Sequence, residues 1–335
     1  MKPLFTRLSL LLALPAMLLM NALPTDFLAK NGHLSLAPSD PYSAPAPSPD
    51  KNVEPAFLSE AAPLTTGMNL SRPEPNSGYY FHPPMSLPDI CETKNQVFKP
   101  GEKIVYKLYY NWNFVWLAAG EVTFLVHELP DYYHIMVRGR TYESYEWFYK
   151  VRDNYESYLD KKTLLPHIHI KDVNEGGYTR YDRTSFDQTA GRAISSRGRT
   201  RDDLEDKEIA LDECMHDLIS IVYYARNLDY KNMQKGDKIP LKILMDRDIY
   251  PLSLKYLGAE PNLKVRNGGR YNTQKFSPQL IAGEVFKEGD EMKIYVSDDQ
   301  NRLPILVESP VSVGSIKAVL QSYEGLRFPM TAKVE

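Results

Sequence analysis

From residue 96 onward the chain alternates apolar and polar side chains with a period of two. Residues 121–127 (EVTFLVH) and 133–138 (YHIMVR) each put every second side chain on one apolar face, with Pro130-Asp131 as a turn between them. Successive side chains of a strand point to opposite faces, so this pattern is that of half-buried β-strands. It recurs in 103–110, 155–159, 166–170, 178–186, 305–308 and 315–323. The connections are short and carry turn residues, as in Lys99-Pro100-Gly101-Glu102 and Gly176-Gly177. Short turns between consecutive strands predict an antiparallel meander.

One stretch changes period. Met215, Leu218, Ile219, Val222, Tyr223 and Arg226 recur at three- and four-residue spacing behind Asp212, a suitable N-cap. This predicts one central amphipathic helix over about 213–227. Its apolar stripe needs cover, and the open face of a curved sheet supplies it. The predicted fold is mainly β: a curved antiparallel sheet or incomplete barrel around that helix.

The β pattern also echoes itself. Residues 99–104 (KPGEKI) resemble 235–239 (KGDKI), and 158–166 (YLDKKTLLP) resemble 295–304 (YVSDDQNRLP). Two related sub-units flanking the helix would produce this, and so would generic turn chemistry. A third copy, 286–292 (FKEGDEM), falls inside the second half and breaks strict duplication.

The N-terminus follows different rules. Lys2 and Arg7 precede an uncharged apolar run over 8–20, too short for a stable membrane anchor and suited to an export signal. Ala22 and Ala29 both suit cleavage, and we take 1–22 as the signal peptide. Residues 23–90 hold about half of the chain's 25 prolines and no apolar period, which predicts a semi-extended, mostly disordered linker. Residues 91–335 remain as the β-rich domain. No later stretch is apolar enough to span a membrane, so the expected product is exported and periplasmic or associated with the outer envelope.

Composition adds little constraint. The net charge of −3 gives no general attraction to nucleic acid. The 23 tyrosines, against 12 phenylalanines and 3 tryptophans, suit half-buried pleated surfaces. Cys91 and Cys214, an even pair in an oxidising compartment, are candidates for a disulfide, with two buried thiols as the alternative.

Candidate chemistry is sparse. His167 and His169 alternate on one strand face, but no third metal ligand is singled out, and aromatic packing is the simpler reading. Arg192, Arg197, Arg199 and Arg201 are followed at once by Asp202, Asp203, Glu205, Asp206 and Glu208, which reads as a solvated charged loop. Residues 142–149 (YESYEWFY) set Glu143 and Glu146 among aromatics, a pattern seen in carbohydrate sites. There is no Gly-x-Ser-x-Gly elbow, phosphate-binding glycine loop, His-Glu-x-x-His or calcium loop. No cofactor or metal is expected.

Several runs together resemble an exported family catalogued as domain of unknown function 3108. They are 98–106 (FKPGEKIVY), 119–124 (AGEVTF), 149–155 (YKVRDNY), 172–177 (DVNEGG), 217–226 (DLISIVYYAR) and 308–317 (ESPVSVGSIK). The likeness covers about 91–330 and brings no catalytic residue with it. Single-domain antiparallel sheets curved around a helix are also similar in shape to periplasmic carriers of lipoproteins and lipids, a fold-level analogy.

The expected function is a non-catalytic envelope protein binding a hydrophobic or amphipathic ligand, a lipid or a lipid anchor, in the concave face. The expected wall is Trp112, Trp116, Tyr145, Trp147, Met215, Leu218, Ile219 and Val222. The alternatives are a structural or protein-interaction module with a packed core, whose partner would be another envelope protein, and a hydrolase of envelope polysaccharide.

Overall fold

The computed structural model describes residues 91, 93–112, 115–146, 149–212, 214–278, 291–310 and 315–334. The segment read as a signal peptide, 1–22, and the whole of the proline-rich segment, 23–90, lie outside the described residues.

Fourteen strands form one antiparallel sheet. Eight precede the main helix: β1 (Lys103–Trp112), β2 (Val115–Glu128), β3 (Tyr132–Thr141), β4 (Arg152–Asp160), β5 (Pro166–Glu175), β6 (Tyr178–Asp187), β7 (Arg192–Gly198) and β8 (Glu205–Ala210). Six follow it: β9 (Lys238–Met245), β10 (Asp248–Val265), β11 (Gly269–Pro278), β12 (Lys293–Ser297), β13 (Pro304–Pro310) and β14 (Ser315–Glu324). Each run is a meander, and the two join where β14 pairs with β1. The edges, β8 and β9, do not hydrogen-bond to each other, so the sheet is curved but unclosed.

The period-two pattern fixes which side chains face inward. Ile104, Phe124, Val137, Tyr155, Lys171, Asp182 and Arg197 lie on one face, cross-strand from one another from β1 to β7. The two Leu-Pro turns that echo one another in sequence also close alike. Asp160 N donates to Leu165 O at 2.9 Å and Ser297 N to Leu303 O at 2.8 Å. Leu164 and Arg302, each two residues before the proline, take left-handed φ of 58° and 46°.

Two expectations need correction. The charged stretch after Arg192 is a solvated loop only at 199–204: its flanks form β7 and β8, and Ala193, Ser195 and Ser196 are buried. The charges of Glu205–Ala210 face solvent along an edge strand, where they block pairing with other chains. The helix also starts later than 213. A short α1 covers Glu143–Glu146, and α2 covers only Ser220–Asn227.

Residues 214–219 are unwound for identifiable reasons. Cys214 is disulfide-bonded to Cys91 and has a left-handed φ of 56°. The backbone of His216 runs parallel to β9, with His216 N donating to Lys242 O and Leu244 N to His216 O at 2.8 Å. Asp212, the expected N-cap, pairs with Lys242 instead. Asp217 does the capping: its Oδ1 accepts from Ile219 N and Ser220 N, both at 2.7 Å.

The helix is clamped from outside by residues 91–98. Gln96 N donates to Asn227 Oδ1 at 2.7 Å, and the Phe98 ring packs edge-on against Tyr223 at 4.8 Å. Beneath it, Arg226 makes a bidentate pair with Glu102, at 2.6 and 2.9 Å, with 3% and 0% of the two side chains exposed. The buried face of α2 is therefore Ser220, Tyr223 and Arg226, more polar than the stripe read from sequence.

Candidate functional site

The concave interior has two unlike halves. On the β9–β13 side, inward residues are apolar: Leu241, Ile243, Leu252, Leu254, Phe276 and Val296. They face α2, which presents Ile221, Val222 and Ala225, and Leu218 in the unwound approach to it. Between them lies a partly open cavity of about 160 Å³. Empty apolar cavities of roughly 150 Å³ stay dry and accept a benzene-sized guest, so this space suits a short alkyl segment or one ring.

On the β4–β7 side, inward residues are polar. Lys171 lies 3.3 Å from Asp246, and Arg197 donates from Nε to Asp182 at 2.6 Å and lies 3.2 Å from Asp246. Asp246 and Arg247 form the β9–β10 turn with left-handed φ of 50° and 72°. Neither is glycine, so the turn is strained, and its side chains hold it. Arg247 reaches across the open seam to Ser195 Oγ at 3.0 Å, Ser195 O at 3.1 Å and Glu205 O. The sheet's two ends are thus linked by side chains where no strand ladder connects them. A small space of about 30 Å³ remains among Tyr155, His169, Lys171, Thr184, Asp246 and Arg247.

Of the expected wall, Leu218 and Val222 are the members that line the apolar cavity among the described residues. Ile219 is fully buried in the main core, and Met215 packs in a separate cluster with Phe186, Ala193 and Leu244. Trp116 lies under the Lys317 ammonium, 4.7 Å from its ring centroid, and Tyr145 packs on the core from α1. Trp112 ends β1, and Trp147 lies outside the described residues. Cys91 and Cys214 are joined, with Cα atoms 5.5 Å apart.

The other candidates disperse. His167 stacks edge-on against Tyr132, while His169 turns toward Asp217. Among the described residues, no group of three His, Cys, Asp or Glu side chains converges as a metal site. Glu146 is ion-paired to Arg152, whose hydrogen bond holds its carboxyl below the usual range.

Sequence reasoning missed a carboxyl pair. Asp153 and Glu175, each 1% exposed, lie close enough across β4 and β5 for their charges to interact. Burial first, and then the Glu175 charge, push Asp153 well above the carboxylate range. The folded state holds a proton that the unfolded chain releases near pH 4, so stability is full below that pH and falls as pH rises through the folded value. Asp153→Asn keeps the acceptor for Asn174 N and supplies a permanent donor toward Glu175. It is expected to raise the melting temperature at pH 8 and to lose that advantage at pH 4, as read by thermal unfolding at the two pH values.

The model of a protein family of unknown function, DUF3108, matches residues 105–321. The chain belongs to this family. The match spans β1 to β14, so the whole sheet and α2 are family features. None of the curated proteins compared with the chain matches it. Among solved structures it is similar to a β-barrel-like protein of domain of unknown function DUF1849 from Brucella abortus, at 9% identity and a TM-score of 0.46. That likeness covers 68% of this chain and 98% of the other. No helix among the described residues is long and apolar enough to cross a membrane.

Proposed function

We propose that this DUF3108 chain is an exported, non-catalytic envelope protein that holds a hydrophobic or amphipathic ligand between α2 and strands β9–β13. The observation that carries this reading is the cavity of about 160 Å³, bordered by aliphatic and aromatic side chains of α2, β1, β2 and β9–β13. Leaving such a hole unfilled costs packing energy, about 24 cal/mol per Å³ in core-truncation series. Sites for small molecules are concave and mainly apolar, with a few polar groups to orient the guest. A lipid, or the lipid anchor of a partner protein, supplies a chain of the right chemistry. The volume takes one alkyl segment rather than a whole diacyl lipid.

The packed interaction module is the weaker reading because the core is not filled at this place. The hydrolase is weaker still. Its expected carboxylates, Glu143 and Glu146, lie on α1, where Glu146 is paired to Arg152, and neither borders the cavity; the buried Asp153 and Glu175 do not border it either.

The test is co-purification. Native mass spectrometry of protein taken from the envelope is expected to show an apolar adduct. Val222→Trp, which fills the cavity from α2, is expected to remove it while the protein still melts cooperatively. Protein free of adduct that also takes up no added alkanol would refute the reading.

A further inference from the structure

The apolar cavity and the small polar chamber are neighbours. Leu218 borders both, and β9 passes from one to the other, giving Leu241 and Ile243 to the cavity and Leu244 and Met245 to the chamber, where the following turn adds Asp246. The cavity is apolar apart from Arg226, which is paired with Glu102, and Arg302, which donates to Arg226 O and Leu228 O, whereas the chamber across Leu218 is lined by charges, and a molecule with an alkyl chain and a polar head complements the two.

The chamber's charges indicate the sign of the head group. Lys171 and Arg197 are neutralised by Asp246 and Asp182. Arg180 adds a further positive field at Asp246. Arg247 differs: its guanidinium donates to Ser195 Oγ, Ser195 O and Glu205 O, all neutral, and no carboxylate pairs with it among the described residues. Asp217, the other carboxylate nearby, is occupied by Ser157 and by the N–H groups that open α2. His169 Nδ1 is buried without a hydrogen-bond partner among the described residues, 3.6 Å from Asp217 Oδ2. The chamber thus has an unneutralised cation and an unsatisfied ring nitrogen, both of which can donate to a small anionic group.

Resting on the apolar-ligand reading above, we propose that the chamber is a head-group subsite for a carboxylate, and that the preferred ligand is a single-chain alkyl carboxylate. The chain lies against Val222, Leu252 and Leu254, Leu218 moves aside as the partition, and the carboxylate accepts hydrogen bonds from Arg247 and from a ring N–H of His169. The space of about 30 Å³ admits a planar carboxylate better than a tetrahedral phosphate ester.

Calorimetric titration of the full exported chain with octanoate and with octanol tests this. The expected result is octanoate binding at least tenfold more tightly than octanol, with the gap collapsing in Arg247→Gln. His169→Gln leaves the β7–β8 contacts of Arg247 intact and is expected to narrow the gap as well, which keeps the test available if Arg247→Gln fails to fold. Octanoate no tighter than octanol would overturn the carboxylate subsite and leave the cavity reading standing. A preference that survives both substitutions would also overturn it. Binding of neither probe would overturn the cavity reading, and the subsite with it.

Discussion

Arg226→Met is expected to destabilise the protein by about 3–5 kcal/mol, the largest loss from any single side chain, because it leaves the Glu102 carboxylate buried without its partner. Arg226 joins three parts of the chain. It donates to Glu102 at the mouth of β1 and to Asn301 O at 3.3 and 3.2 Å in the β12–β13 turn, and it is itself the last buried residue of α2. Removing both charges, as in Glu102→Leu with Arg226→Met, is expected to cost much less than the single change. A buried ion pair contributes little net stability once its desolvation is counted, whereas half of one is strongly unfavourable. Denaturant unfolding of the two variants measures this, and equal losses would contradict it.

Removal of the Cys91–Cys214 disulfide is expected to have the second large effect. The bridge closes a loop of 123 residues, and the chain-entropy model assigns such a loop about 5 kcal/mol. The effect should also be local. Cys214 anchors the unwound approach to α2, and Cys91 starts the arm that lies over it. Cys91→Ser with Cys214→Ser is expected to lower the melting temperature and to speed amide hydrogen exchange in 215–227 more than in β2 and β3. Uniform exchange across the sheet would show that the bridge acts only on the unfolded chain.

The fold class was legible because alternation is a direct consequence of strand geometry. Phe124 and Val126 had to share a face with one another and not with Leu125. What misled was charge. Arg197 and Lys171 sit on inward positions of strands whose outward positions are also polar, so β5–β7 lack the contrast that marks a buried face. Asp182 is their cross-strand neighbour on β6, but Asp246 comes from the distant β9–β10 turn, and only folding brings it to them.

The helix was overextended for a related reason. Met215 and Leu218 keep helical spacing, yet the backbone around His216 takes its hydrogen bonds from β9, and a tertiary ladder outranks local propensity. Leu218 and Val222 could be named for the cavity from their spacing. The facing wall also had a signal, in the alternation of Leu241 with Ile243 and of Leu252 with Leu254, but nothing in one strand says which other element will stand opposite it.

Methyl-resolved NMR of the full chain, titrated with octanol, is the most direct test of a ligand site under α2. The expected result is saturable shifts confined to Leu218, Ile221, Val222, Leu241, Leu252, Leu254 and Val296. Shifts scattered over the exposed surface, or none below the solubility limit of the alcohol, would contradict it.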